Sequence, residues 1–184
     1  MITGRAIALF RAVNVGGRMV RMADLKDVLL ELGLEDPQTL LQSGNAVFGV
    51  DASAARGTPA ALEARIERAL LAKTGIQSDT FVRTAAEWDA AVAANPFDEQ
   101  HSDPGHMILT TLGAEPSAAA VKALRAAIKG PEVMHAHGRS LYVVYPDGIG
   151  QSKLTNVIIE RALDTRGTAR NWNTVLKLQA LVAR

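Results

Sequence analysis

One order of predicted elements occurs twice in this chain, and that repeat limits what it can fold into. Ala6 to Phe10 is a continuous apolar run, the pattern of a strand buried on both faces. Met22, Leu25, Val28, Leu29 and Leu32 then recur at helical spacing, with Gly33 where a helix would be capped. Thr39 to Leu41 and Ala46 to Val50 read as strands. Gln42-Ser43-Gly44-Asn45 reads as the hairpin between them, because Gly and Asn tolerate positive φ. Thr58-Pro59 opens a helix with Leu62, Ile66, Ala69 and Leu70 on one face, and Thr80 to Val82 is a fourth strand.

The second half repeats that order. Met107 to Leu112 is a strand, and Val121, Leu124 and Ile128 mark a helix face. Glu132 to His137 and Ser140 to Tyr145 form a hairpin around Gly138-Arg139. Ser152 is read as the cap of a helix carrying Leu154, Val157, Ile158 and Ala162. Thr168 to Arg170 is a short strand, and Asn173 caps a last helix. Strand, helix, strand, strand, helix, strand is the split βαβ order. The expectation is therefore α+β, with two tandem ferredoxin-like (α/β plait, βαββαβ) subdomains over 1–83 and 106–184. Residues 84–105 supply an extra linking helix, opened by the capping box Thr84-Ala85-Ala86-Glu87, and a linker. The repeat lies in element order, not in residue identity.

Composition narrows the function classes. Apolar residues make up 48% of 184 and the net charge is +1, so a sizeable core is available and no basic face is implied. With no cysteine, thiolate chemistry and disulfides are excluded. No apolar run approaches the roughly 18 residues of a membrane span, and the N-terminus lacks a signal-like h-region. A cytoplasmic protein with no membrane association is expected.

Two polar loops join strand to helix and place glycine beside positive charge. The first holds Arg11, Asn14, Gly16 and Gly17; the topology brings Ser43 and Asn45 of the hairpin to the same end. The second, at the opposite end of its own unit, holds Gly148, Gly150, Ser152 and Lys153, with Arg170, Asn171 and Trp172 leaving the last strand beside it. Converging amides and a helix N-terminus suit an anion. Lys153 is placed in the first helical turn, where a cation is disfavoured unless an anion sits nearby. The second loop lacks the P-loop spacing, since serine precedes lysine, which argues against nucleotide hydrolysis. Plainer roles exist for these residues: Arg11 could pair with a carboxylate, Asp147 could be a turn former, and Trp172 a core anchor. His135 and His137 share one strand face but no third ligand is fixed by spacing, so no metal is expected.

Several of these stretches carry a family resemblance. They are Arg11-x-x-Asn14-Val15-Gly16-Gly17, Leu41-Gln42-Ser43-Gly44-Asn45, Asn95-Pro96-Phe97, Tyr145-Pro146-Asp147-Gly148-Ile149-Gly150-x-Ser152-Lys153-Leu154 and Gly167-Thr168-Ala169-Arg170-Asn171-Trp172. In that order they resemble the bacterial domain-of-unknown-function family 1697. The resemblance implies tandem α/β plaits and assigns no catalytic residue. The family often has glycine where this chain has Ala12, and a positive φ there would strain alanine.

The function expected from the residues is binding of a small anionic or phosphorylated ligand, without a cofactor, by a monomer or homodimer. RNA binding on a sheet face is the first alternative. It is disfavoured because Ala46-Val47-Phe48-Gly49-Val50 lacks the paired aromatics of an RNA recognition strand. A protein-interaction or dimerisation module is the second.

Overall fold

The structure is a computed structural model that describes residues 4–14, 19–40, 44–51, 58–97 and 103–184. The expected ligand residues Gly16, Gly17 and Ser43 lie outside the described residues. The chain divides into two compact units, Met1–Ala90 with Leu178–Arg184, and Ala91–Lys177.

The first unit contains β1 (Gly4–Phe10), α1 (Met22–Glu31), β2 (Glu35–Thr39), β3 (Asn45–Val50), α2 (Pro59–Thr74) and β4 (Thr80–Thr84). Helix α3 (Ala85–Ala93) follows. The second contains β5 (Met107–Leu112), α4 (Ala118–Ala127), β6 (Val133–His137), β7 (Ser140–Val144), α5 (Asn156–Leu163) and β8 (Gly167–Asn171), then the first part of α6 (Trp172–Val182), which from Leu178 on counts with the first unit. The two four-stranded sheets have orders β2-β3-β1-β4 and β6-β7-β5-β8, with every pairing antiparallel. This is an α+β arrangement compatible with two tandem ferredoxin-like units.

The apolar run of β1 does what its composition requires. Ala6, Ala8 and Phe10 face Leu25, Val28 and Leu29 of α1 and Leu62, Ile66 and Leu70 of α2 in one core cluster. The alternate residues Ile7 and Leu9 are fully buried on the other face. In the second unit Leu124 of α4 and Ile159 and Leu163 of α5 cover Ile108, Leu112, Leu141 and Val143. Each such large side chain contributes roughly 1.5–3 kcal/mol on burial.

The repeat extends to hydrogen bonds. Phe10 N donates to Gly44 O (2.9 Å) and Leu112 N to Arg139 O (2.9 Å), tying each first-strand exit to its hairpin. Arg11 N donates to Asp79 O (2.8 Å) and Gly113 N to Arg166 O (2.8 Å). The outer N–H groups of each last strand reach helix glutamates rather than water. Glu67 Oε1 accepts from Thr80 N (2.8 Å), Glu63 Oε1 from Val82 N (2.7 Å), and Glu160 Oε1 from Gly167 N (2.9 Å). These bonds also remove donors that would leave the edge open to pairing. Arg83 and Arg170 take the same place in β4 and β8, both buried, and each donates from Nη1 to the preceding carbonyl at 2.8 Å.

Three local expectations are corrected. Strand β2 is Glu35–Thr39, not Thr39 to Leu41. It is an edge strand with Pro37, a left-handed Asp36 (φ 40°) and a register shift between Glu35 and Gln38, so it needs no apolar alternation. Thr155, not Ser152, caps α5, accepting from Ile158 N. Asn171, not Asn173, caps α6, its Oδ1 accepting from Thr174 N (2.9 Å). By contrast, the Thr84 capping box forms as read, with Glu87 N on Thr84 Oγ1 (3.1 Å) and Thr84 N on Glu87 Oε2 (2.9 Å).

Candidate functional site

The first-unit loop begins with a sharp turn. Ala12 and Asn14 both take left-handed backbone (φ 55° and 56°), and between them Val13 turns into the core. Asn14 Oδ1 accepts from Val20 N at 2.7 Å. Gly44 (φ 73°) lies so close that a Cβ there would stand 2.1 Å from Val13 Cγ2. Asn45 is fully buried and its Nδ2 donates to Leu40 O (2.9 Å), holding the hairpin ends together. Asn14 and Asn45 thus have structural bonds of their own.

Among the described residues of this cluster, Arg11 is the expected ligand residue that lines a cavity. It shares this cavity of about 480 Å³ with Ala12 and the α2–β4 connection Gly75 to Asp79. Its Nη1 pairs with Asp79 Oδ2 at 3.4 Å, and its carbonyl accepts from Ser78 Oγ at 2.8 Å. The sequence reading placed the hairpin at this end but missed the α2–β4 connection. The same up-and-down count would have brought Asp79 there, because α2 returns to the end from which β1 exits. With Asp79 beside it, Arg11 is already neutralised.

The second-unit loop is built in short steps. Tyr145-Pro146-Asp147-Gly148 is a tight turn closed by Gly148 N on Tyr145 O (2.9 Å), with proline after its first residue and Gly148 at φ 81°. Asp147 is a turn residue, as its chemistry allowed. A single 3-10 turn follows over Ile149–Gln151. Ser152 and Thr155 are extended, and between them the chain bends at Lys153, whose carbonyl accepts from Thr155 N (3.0 Å). Lys153 precedes the α5 cap, so the conflict between its charge and a first helical turn does not arise. The loop amides are also largely committed: Gly148, Gln151, Ser152, Leu154 and Thr155 donate within the segment. This is not a cradle of free N–H groups like a phosphate loop.

What the loop builds instead is a wall. Gly148, Ser152 and Lys153 line a cavity of about 430 Å³ together with the α4–β6 connection, residues 128–132. Ser152 Oγ donates to Glu132 Oε1 and accepts from Leu154 N (2.9 Å). That tertiary bond is the reason the serine does not cap the helix. Tyr145 is buried; its hydroxyl donates weakly to Leu154 O (3.4 Å). Burial, then the nearby Glu132 carboxylate, pushes its pKa up to about 12, so it stays a neutral donor at ordinary pH. Lys129 and Lys153 are both exposed at this cavity, and neither forms an ion pair among the described residues. Lys129 and Glu132 were missed by the sequence reading. They sit in a helix–strand connection with no motif, and only the topology brings them to the β7 exit.

The other expected residues stand elsewhere. Gly150 is exposed in the 3-10 turn and does not line the cavity. Arg170 is buried, bonded through Nη1 to Thr168 Oγ1 (2.8 Å), and desolvation lowers its pKa to about 10. Asn171 caps α6, and Trp172 is buried with its edge toward Tyr142, ring centroids 6.4 Å apart. None of these three lines the cavity. Among the described residues no group of His, Asp and Glu could hold a metal ion, and no helix is long and apolar enough to cross a membrane.

The model of the family described as Protein of unknown function (DUF1697) matches residues 4–142. The chain belongs to the DUF1697 family. The matched region ends within β7, before the loop that lines the second-unit cavity. No curated protein matches the DUF1697 chain. Its fold is similar to the solved structure of conserved bacterial protein SP0830 from Streptococcus pneumoniae, at TM-score 0.73 and 19% identity. The alignment covers 97% of this chain and 98% of that one, and at this identity it speaks for the fold alone.

Proposed function

We propose that this DUF1697 protein binds a small anionic or phosphorylated ligand, and that the second-unit cavity is the principal site. The carrying observation is a concavity of about 430 Å³ at whose surface Lys129 and Lys153 stand without carboxylate partners among the described residues. Ligand pockets run to about 300–1,000 Å³ with a few polar groups on apolar walls, and this one fits. The first-unit cavity is a weaker claimant, because Asp79 already holds Arg11. The strand orders support reading both units as ferredoxin-like plaits. Burial of β3 and β5 along their whole length weighs against RNA stacking on a sheet face.

The test is a panel of small carboxylates and phosphate esters, followed by amide chemical shifts. Shifts are expected at residues 128–132 and 147–154. Lys153→Ala should weaken binding about tenfold or more, since a hydrogen bond to a charged group is worth about 1.5–3 kcal/mol. Its Tm should stay unchanged, because the Lys153 side chain is exposed and makes no ion pair among the described residues. Parallel loss of binding and thermal stability, or silence across the panel, would overturn the proposal.

A further inference from the structure

We propose, resting on the anion-site reading above, that the ligand of the second-unit cavity is amphipathic. It is an anionic head group on a hydrocarbon or aryl body, taken as a soluble monomer. The walls argue for the body. Ile128, Leu154 and Ile158 line the cavity, and a bare inorganic anion would leave that apolar lining unused. Apolar side chains are also exposed on the segments that line it. Ile158 is 41% exposed, and Ile149 and Val157, each next in sequence to a lining residue, are 48% and 71% exposed. Exposed apolar side chains on such segments mark a surface that something covers.

The charges give the ligand a direction. Lys129 and Lys153 come from the two connections that frame the cavity, and both are exposed, so their ammonium groups stand on the solvent side. Glu132 stands in the lining, with Oε1 engaged by Ser152. A carboxylate there repels a second anion, which keeps the head group with the lysines and leaves the walls to the body. A hydroxyl or amine on the body would be a fitting donor to the other Glu132 oxygen.

The experiment compares octyl phosphate and octanoate, below their micelle concentrations, with inorganic phosphate, acetate and octanol. Binding is measured by calorimetry on the full chain. Octyl phosphate and octanoate are expected to bind about tenfold or more tighter than the bare anions and than octanol. Ile158→Asn should abolish the gain over inorganic phosphate, and Lys129→Gln with Lys153→Gln should abolish the gain over octanol. Both sites are solvent-exposed, and a circular dichroism spectrum and Tm confirm the fold of each variant. If inorganic phosphate binds as tightly as octyl phosphate, the amphipathic reading falls and the anion site survives. If octanol matches octyl phosphate, or nothing binds, both readings fall. Co-sedimentation with phosphatidylglycerol vesicles, without binding of monomeric octyl phosphate, would overturn the soluble ligand in favour of a membrane surface.

Discussion

Gly44→Ala tests the packing of the hairpin against the exit of β1. Gly44 has φ 73°, and a Cβ there would lie 2.1 Å from Val13 Cγ2, 3.0 Å from Phe10 Cβ and 3.3 Å from Phe10 O. Carbon atoms prefer about 3.5–4.0 Å, so the valine methyl must move by more than an ångström. Val13 is buried and β-branched, so it has few rotamers in which to retreat. Overpacking of this kind costs about 1–3 kcal/mol. The left-handed backbone adds about 1–2 kcal/mol for a residue with a Cβ, and a stiffer unfolded chain returns about 0.4–1 kcal/mol. The net expectation is a loss of about 1–4.5 kcal/mol, centred near 3. Gly33→Ala is the control: φ is 78°, and nothing lies within 4 Å of its Cβ position. It should cost about 1 kcal/mol or less. Urea unfolding followed by far-ultraviolet circular dichroism gives both values. In a Val13→Ala background, which removes both γ-methyls, Gly44→Ala should cost clearly less, though still more than the control, because Phe10 Cβ and O remain at 3.0 and 3.3 Å. Equal losses for Gly44→Ala and Gly33→Ala, or no relief from Val13→Ala, would refute the packing argument.

Other perturbations follow from single contacts. Ala12→Gly should stabilise the protein by about 0.5 kcal/mol in the same assay, because relief of left-handed strain at φ 55° exceeds the added unfolded-state freedom; a loss of about 1 kcal/mol would contradict it. Glu63→Ala should cost about 1–3 kcal/mol and speed hydrogen exchange at Val82, whose buried N–H loses its 2.7 Å acceptor. Unchanged exchange would mean the bond carries nothing. The Tyr145 pKa is raised above the ordinary phenol value near 10, so its contribution to stability is whole below pH 10 and is lost as pH rises toward about 12. Tyr145→Phe should therefore flatten that part of the alkaline unfolding profile. Burial also raises Tyr142, so part of the slope should remain. An unaltered slope would refute the assignment.

The sequence by itself determined the order of strands and helices and that the series occurs twice, though not every boundary. The continuous run of β1, the helical spacing of Leu62, Ile66 and Leu70, and the Thr84 capping box all formed as read. These signals span a few residues and reflect backbone periodicity, so neighbours along the chain suffice to encode them. Where two polar residues compete for one role, neighbours did not suffice. Ser152 and Thr155 both suit an N-cap, and the choice fell to Thr155 because Glu132, twenty residues upstream, engages the serine hydroxyl. Tertiary structure alone decided that Lys129 joins Lys153 at one cavity, that Asp79 is the carboxylate beside Arg11, and that Arg170 is buried. Each is a meeting of segments distant in sequence, fixed by strand order and sheet twist rather than by any local preference.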